Sequence, residues 1–297
     1  MKTTDRADKI KGALYGVAIG DALGGPLEFM SAEEIQNKYG RVTEMIGGGW
    51  MNLKPGETTD DTAMMLAVAE GIVEAPEDPV PVIGRNFIEW YNSNPKDIGA
   101  TCAGAIRRAM DIASWPKMPE KKDWMRASSM TDQVMHGRTA GNGALMRTIY
   151  PGLFYRPGKD EIMKHTSEIA QMTHWSQEST NACVQYVQET FMLLMDYEGK
   201  VGMFDEKQNM HQPSGYVIDS YIVASEAIAS TDNFEDAIVE AVNGGGDADT
   251  IGAIAGGMAG AKYGYSRIPN RWLAALDPEV KKRLDYVAEA AIKRWEE

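Results

Sequence analysis

The sequence is poor in cysteine and has no long hydrophobic run. Its two cysteines, Cys102 and Cys183, show neither metal-binding nor redox spacing. They are typical of buried thiols in a reducing compartment, so we expect a cytoplasmic protein. No stretch of about 18 apolar residues is present, which argues against a transmembrane helix. The residues Met1 to Arg6 lack the apolar core of a signal peptide.

Basic residues are scarce relative to acidic ones. The chain has 30 Lys and Arg residues against 43 Asp and Glu residues, which gives a net charge of −13. This balance argues against general binding to nucleic acids or to anionic membranes, because both kinds of partner attract a basic surface. An acidic protein can still bind an anionic ligand locally, through backbone amides, metals or a few arginines.

Several catalytic motifs are missing. No glycine-rich turn ends in Gly-Lys-Ser/Thr, no Gly-x-Gly-x-x-Gly follows a strand, and neither Gly-x-Ser-x-Gly nor His-Glu-x-x-His occurs. The chain has 4 histidines and no two of them are four residues apart, which argues against zinc. These absences leave a carboxylate-ligated metal centre as the main chemical hypothesis.

Apolar residues recur at three- and four-residue spacing along most of the chain, which predicts an all-α fold. No linker rich in Pro, Gly or Ser divides the chain, so we expect one compact domain over residues 1–297. The polar region Ser114 to Thr139 predicts a long loop, and Arg41 to Ile46 a short extended segment. Helices are predicted at Ile10 to Leu23, Ala63 to Val73, Pro81 to Tyr91, Ala100 to Ile112, Lys159 to Met172, Ser179 to Met195, Tyr216 to Ala229, Phe234 to Val242, Ile251 to Ala261, and after Asp277 as N-cap.

Two acidic stretches lead into predicted helices. They are Thr59-Asp60-Asp61-Thr62 and Asp247-Ala248-Asp249-Thr250. If the two helix ends meet, four carboxylates and several threonine oxygens converge, which suits Mg²⁺ or Mn²⁺ and balances the charge of two divalent cations. Asp247 and Asp249 would point the same way in extended backbone. Helix capping is the alternative, because Thr and Asp are preferred N-caps and acidic groups complement the helix dipole.

Two of the predicted helices carry glycine at every fourth position. These glycines are Gly12, Gly16, Gly20 and Gly24 in the first helix, and Gly252, Gly256, Gly260 and Gly264 in the second. Glycine in a helix interior costs roughly 1 kcal/mol relative to alanine, so four on one face imply a use. We expect close backbone approach between helices and a rigid support for the acidic stretches. Tight core packing without functional meaning is the alternative.

Four further places in the sequence are candidates for site chemistry. Glu28 follows the first glycine-rich helix and Asp97 precedes a predicted helix; a surface acid and a helix cap are the alternatives. The turn Gly141-Asn142-Gly143 has backbone amides that could bind a phosphate. His174 is a candidate base or phosphate contact, with a packed core histidine as the default interpretation.

Taken together and in order, these motifs resemble the ADP-ribosylglycohydrolase family. The resemblance covers nearly the whole chain. The matching segments are Gly12 to Gly24 with Glu28-Phe29, Thr59 to Thr62, Gly141 to Arg147, Thr173-His174, and Gly245 to Thr250.

The resemblance implies an all-α orthogonal bundle with two Mn²⁺ or Mg²⁺ ions at the base of a cleft. Asp97 matches the acid proposed as catalytic base, and Glu28 matches an acid close to the metals. The implied metal ligands are Thr59, Asp60, Asp61, Asp247, Asp249 and Thr250. The implied substrate contacts are Gly99, Gly141, Asn142, Gly143, His174 and Tyr216.

Within the family, Gly47-Gly48-Gly49-Trp50 and Asp97-Ile98-Gly99 resemble the branch that removes ADP-ribose from an arginine of dinitrogenase reductase. The implied partner is a mono-ADP-ribosylated protein, and ADP-ribose is the implied product. Two alternatives stay open: hydrolysis of another ADP-ribosyl linkage, to serine or in a small metabolite, and a non-catalytic ADP-ribose-binding module. Ala100 and Trp175-Ser176 depart from the family pattern. These departures concern the protein partner and the fit of the distal part of the substrate, and they leave the metal motifs intact.

Overall fold

The computed structural model describes residues 3–156, 161–197 and 211–296. Within these ranges the chain forms α-helices, three 3-10 helices and isolated bridges, but no strand, so the predicted all-α class is confirmed. The helices are α1 (Thr3–Gly24), α2 (Ala32–Tyr39), α3 (Asp60–Glu74), α4 (Val80–Asn92), α5 (Ala100–Ala113), α6 (Lys121–Val134), α7 (Tyr150–Phe154), α8 (Glu161–Gln171), α9 (Gln177–Leu194), α10 (Val217–Ala229), α11 (Phe234–Asn243), α12 (Ala248–Tyr263), α13 (Asn270–Ala275) and α14 (Pro278–Glu296). The 3-10 helices are Gly25–Leu27, Asn142–Ala144 and Tyr265–Arg267.

The predicted helices are present, and most of their ends shift by a few residues, but α1 begins at Thr3, well before the predicted start at Ile10. Those predicted over Pro81 to Tyr91 and over Ala100 to Ile112 are α4 and α5. Lys159, where another helix was expected to begin, lies outside the described residues, and that helix is α8. The start of α14 is as predicted, because the Asp277 carboxylate accepts a hydrogen bond of 2.8 Å from the Glu279 amide.

The most extensive contact between two helices in the described chain joins α1 and α12. A Cβ added to Gly16 would overlap the carbonyl of Gly256, and one added to Gly20 would overlap that of Gly252. The pairing runs in opposite directions along the two helices, so they are antiparallel. The expected close approach is confirmed, and it brings the end of α1 to the start of α12.

The loop predicted over Ser114 to Thr139 is wrong for most of its length, because α6 lies within it. Glu120 and Asp123 form a capping box at the start of this helix. Trp124 is fully buried and makes an edge-to-face contact with Phe87, with ring centroids 6.3 Å apart. The helix is polar overall and buries one face, which a judgement from composition misses.

The extended segment expected at Arg41 to Ile46 does not form a strand. Val42 instead pairs with a side chain: its amide donates to Asn243 Oδ1 at 2.8 Å, and its carbonyl accepts from Asn243 Nδ2 at 2.9 Å. The asparagine amide therefore takes the place that a neighbouring strand would have. Among the described helices, none combines the length and the hydrophobicity that crossing a bilayer requires.

Candidate active site

Carboxylates meet at the place where α1 ends and α12 begins. Glu28 follows α1 after one 3-10 turn, and Asp247 is the N-cap of α12, with Asp249 in its first turn. Oxygen atoms of these three carboxylates lie within 4.8 Å of one another. A cluster of this spacing can hold a divalent cation, because hard cations bind several carboxylate oxygens at once.

The first acidic stretch lies against the second. Thr59 is the N-cap of α3, and Asp60 and Asp61 occupy its first turn. The Thr250 hydroxyl donates to Asp61 Oδ2 at 3.4 Å, which links the two stretches directly. The predicted convergence is therefore present. The capping alternative also holds for Thr59, whose side chain accepts from the Asp61 amide, whereas the Asp247 side chain forms no capping bond.

A cleft of about 220 Å³ opens above this cluster. It is lined by every predicted site residue except Thr59 and Tyr216. Further lining residues that the sequence did not suggest include Met146 and Cys102. Tyr216 lies beside the cleft, in a bridge with Gly141, and its side chain is 40% exposed.

Asp21 supports the first acidic stretch and was missed as a site residue. This fully buried carboxylate accepts hydrogen bonds from the amide of Thr59 at 3.0 Å and from its hydroxyl at 2.9 Å. It also accepts from the amide and the hydroxyl of Thr62, at 3.0 and 2.5 Å. Burial raises the pKa of Asp21 to about 6, against the effect of these hydrogen bonds. One signal was available: Asp21 is the only charged residue in the apolar run Gly12 to Gly24.

Asp61 gives the strongest indication that the cluster fits a cation. Its side chain is buried, and Oδ1 has no hydrogen-bond partner among the described residues. Burial, followed by the charges of Asp21 and Asp60, raises the pKa of this carboxyl well above its ordinary value. A buried carboxylate oxygen without a partner is unfavourable, and so is the repulsion between neighbouring carboxylates. A divalent cation would give the oxygen a partner and neutralise the repulsion. The residues present therefore fit a divalent metal ion.

The second acidic stretch differs from the expected extended geometry. Asp249 is the second residue of α12, so only Asp247 lies outside the helix, with φ −85° and ψ 66°. The two carboxylates still meet, because the chain bends at this N-cap. Asn142 Nδ2 donates to Asp247 Oδ2 at 2.9 Å and also lies 2.9 Å from Ser220 Oγ. The Asn142 amide thus orients a carboxylate of the cluster.

Glu28 is held by a residue from a different loop. Trp50 Nε1 donates to Glu28 Oε2 at 2.7 Å. Burial raises the pKa of Glu28 to about 7, with the charges of Asp247 and Asp97 acting in the same direction and the Trp50 bond against it. In the sequence Trp50 is recognisable only as part of a family motif, and its contact with Glu28 joins two residues from different loops.

Asp97 lines the cleft and lies in the loop before α5. Burial raises its pKa above the ordinary value, and the charge of Asp247 adds to this effect, while the Ile98 amide acts against it. A raised pKa brings a carboxylate closer to the working range of a general base near neutral pH.

His174 is both a packed histidine and a residue of the cleft. Its side chain is 2% exposed, and it lines the cleft beside Gly141 and Gly143. Burial, followed by the charge of Arg147, lowers the pKa of His174 to about 3, so the ring is neutral at physiological pH.

The fold and the site define an all-α protein with a carboxylate cluster suited to a divalent cation. A family model described as ADP-ribosylglycohydrolase matches residues 2–201 and 187–297 of this chain. The chain belongs to the ADP-ribosylglycohydrolase family, as the motifs in the sequence indicated. Membership supports a hydrolase that acts on ADP-ribosyl groups.

Individual relatives agree with the family match. The chain is 34% identical over 289 residues to ADP-ribosyl-[dinitrogen reductase] glycohydrolase of Rhodospirillum rubrum, covering 93% of each chain. It is 33% identical over 301 residues to ADP-ribosylarginine hydrolase Tri1 of Serratia proteamaculans, covering 92% of this chain and 76% of the relative. A solved structure titled ADP-ribosylglycohydrolase-related protein complex superposes with a TM-score of 0.78 at 28% identity, over 98% of this chain and 99% of that one.

Proposed function

We propose that this protein is a divalent-metal-dependent hydrolase that removes ADP-ribose from the arginine guanidinium of a mono-ADP-ribosylated protein. The observation that carries the proposal is the convergence of α3 and α12 on one cleft, where buried Asp61 has an unpartnered oxygen. The names of two relatives, one acting on ADP-ribosyl-dinitrogen reductase and one on ADP-ribosylarginine, support the arginine linkage. A modified protein of the first kind is a candidate partner.

The metal ligands in this proposal come from the two acidic stretches and would hold two divalent cations, Mn²⁺ or Mg²⁺. The six residues are Thr59, Asp60, Asp61, Asp247, Asp249 and Thr250. When bound, such cations supply Lewis-acid stabilisation and a template for the ribose hydroxyls. The protein itself prepares the ligands: Asp21 fixes Thr59, and Asn142 orients Asp247.

Asp97 is the general base in this proposal. It lines the cleft and has a raised pKa, and it would accept a proton from the attacking water or from the substrate. The oxygen of water then bonds to C1″, the ribose carbon that carries the arginine, as the bond from C1″ to the guanidine nitrogen breaks. The proton returns to the departing guanidine, so that arginine leaves as guanidinium. Glu28, beside the cluster, would accept hydrogen bonds from the ribose.

The other predicted contacts would hold the remainder of ADP-ribose. Gly141, Gly143 and His174 lie together on one wall of the cleft and would contact the pyrophosphate. Gly99 lines the cleft beside Asp97, and Tyr216, exposed at its edge, would face the ribose. We propose that these parts work as one domain over residues 1–297.

Two modified peptides test this function. One carries ADP-ribosyl-arginine and the other ADP-ribosyl-serine, and each is incubated with the protein and Mn²⁺ while free ADP-ribose is measured. Release from the arginine peptide alone is the expected result. Release from the serine peptide alone would contradict the arginine linkage, and binding of ADP-ribose without release from either peptide would contradict hydrolysis.

A further inference from the structure

Arg147 is a buried cation without an acidic partner. Its side chain is fully buried, and no carboxylate in the described part of the chain forms an ion pair with it. Its guanidinium donates to the carbonyl of Gly143 at 2.8 Å, to that of Ile169 at 3.1 Å, and to Thr173 Oγ1 at 2.7 Å. A buried charge is unfavourable unless it is paired and hydrogen-bonded, and Arg147 has the hydrogen bonds without the paired charge. One of these bonds is to Gly143, in the turn that lines the cleft.

The contact of Arg147 with Thr173 decides the direction of the next hydrogen bond. A guanidinium can only donate, so Thr173 Oγ1 accepts from it. Thr173 Oγ1 also lies 2.8 Å from Nδ1 of His174. The Cys102 thiol also donates to Thr173 Oγ1, at 4.0 Å, so both lone pairs of this oxygen already accept. The hydroxyl proton therefore goes to Nδ1, and Nδ1 accepts.

The tautomer of His174 follows from this direction. In a neutral imidazole whose Nδ1 accepts, the proton lies on Nε2. Nε2 has no hydrogen-bond partner in the described residues, and it lies 3.5 Å from the position that a Cβ would have at Gly141 and at Gly143. The ring therefore presents an N–H group at the wall of the cleft, in the space that side chains at Gly141 and Gly143 would otherwise occupy.

We infer that Arg147 and Thr173 fix His174 as the neutral Nε2–H tautomer, so that His174 donates a hydrogen bond to the diphosphate of the bound nucleotide sugar. This inference rests on the proposed function, because it takes ADP-ribose as the ligand. His174 contacts the ligand, whereas Thr173 and Arg147 act through it as positioning residues. A neutral donor in this place binds an anionic oxygen whatever the pH between about 5 and 8.

The tautomer is measured directly by ¹⁵N NMR of the histidine rings in the Mg²⁺-loaded protein. The chain has 4 histidines, and the spectrum of His174→Phe assigns the signals of His174. The expected result is a protonated Nε2 and an unprotonated, hydrogen-bonded Nδ1. A protonated Nδ1 in the wild type would overturn the inference, independently of any substrate.

Titration calorimetry with ADP-ribose in Mg²⁺ tests the consequence for binding. His174→Phe should weaken affinity by about tenfold or more, because the lost bond is to a charged acceptor. Thr173→Val should weaken it by about threefold to tenfold, and Thr173→Ser, which keeps the hydroxyl, should restore it. Thr166→Val is the matched control, because the buried Thr166 hydroxyl bonds only to the carbonyl of Ile162 on its own helix.

The outcomes separate the two proposals. If the wild type binds ADP-ribose and Thr173→Val binds it equally well, the positioning role is wrong while the proposed function stands. If Thr166→Val weakens binding as much as Thr173→Val does, the effect is general destabilisation and the positioning role is again wrong. If the wild type itself binds no ADP-ribose, the proposed function is overturned, and the proposed role of His174 is overturned as well.

Discussion

Asp21 on α1 accepts hydrogen bonds from both the backbone amide and the hydroxyl of Thr59, the N-cap of α3. Thr62, one turn further along α3, binds the same carboxylate through its own amide and hydroxyl. A side chain of one helix therefore caps another helix and fixes the start of the first acidic stretch. The hydroxyl of Thr59 gives its proton to Asp21 at 2.9 Å, a shorter contact than the 3.2 Å to Asp61 Oδ2. Its oxygen accepts from the Asp61 amide at 3.4 Å, which leaves one lone pair for a cation.

Asp21→Asn should destabilise the protein by about 1–3 kcal/mol, since every group around Asp21 is a donor and an amide NH₂ would face one of them. Chemical denaturation in the presence of chelator measures this loss without the contribution of bound metal. Asp232→Asn is the control, because Asp232 is exposed in the connection between α10 and α11. Equal free energies of unfolding for the two variants would show that Asp21 has no special role.

Gly16→Ala should lower the free energy of unfolding by about 1–3 kcal/mol or more, because the added methyl group would overlap the carbonyl of Gly256 in the α1–α12 contact. Gly99→Ala is the matched control for stability, since Gly99 has φ −58° and open space around a Cβ. Thermal denaturation compares them. A melting temperature for Gly16→Ala as high as that of Gly99→Ala would mean that the two helices do not need this close approach.

The acidic cluster predicts that the metal-free protein loses stability as the pH rises. Burial raises the pKa of Glu28 from 4.5 to about 7 in the folded protein. Between these values the folded state binds more protons than the unfolded chain, so the stability is fully present below pH 4.5 and is lost as the pH rises through about 7. The free energy of unfolding in chelator should therefore be lower near pH 8 than near pH 5.5.

Glu28→Gln is the comparison for this pH dependence, because glutamine cannot titrate. Its free energy of unfolding should fall less steeply over the same range, by up to about 1.4 kcal/mol per pH unit for one proton. If the free energy of unfolding in chelator falls equally steeply with pH in the variant and the wild type, Glu28 has the same pKa in the folded and the unfolded protein, which contradicts this prediction.

Asp97→Asn should reduce turnover of the ADP-ribosyl-arginine peptide by about 10²-fold or more, the usual contribution of a general base. ADP-ribose should still bind, because the amide is nearly the same size as the carboxylate and the rest of the cleft is unchanged. Asp111→Asn, at an exposed position of α5, serves as control. Turnover by Asp97→Asn within a factor of about two of the control would exclude Asp97 as the base.

The parts of the site that were predictable are those with a local signal. Thr59 and Asp247 stand at helix N-termini, where capping preferences and charge both show in a short stretch of sequence. The glycine spacing of α1 and α12 likewise predicts their contact. Asp21 was missed because its partners lie about forty residues away. The helix α6 was missed because one buried tryptophan, Trp124, and a capping box outweigh a polar composition.

Removal and replacement of the metal tests the central claim most directly, namely that the two acidic stretches form the metal centre of an ADP-ribosyl hydrolase. The wild-type protein and Asp61→Asn are treated with EDTA, freed of chelator, and assayed with the ADP-ribosyl-arginine peptide before and after addition of Mn²⁺. We predict no release of ADP-ribose by the stripped wild type, full release once Mn²⁺ is added, and no such recovery in Asp61→Asn. Full release by the metal-stripped wild type, or equal recovery in Asp61→Asn, would contradict the account.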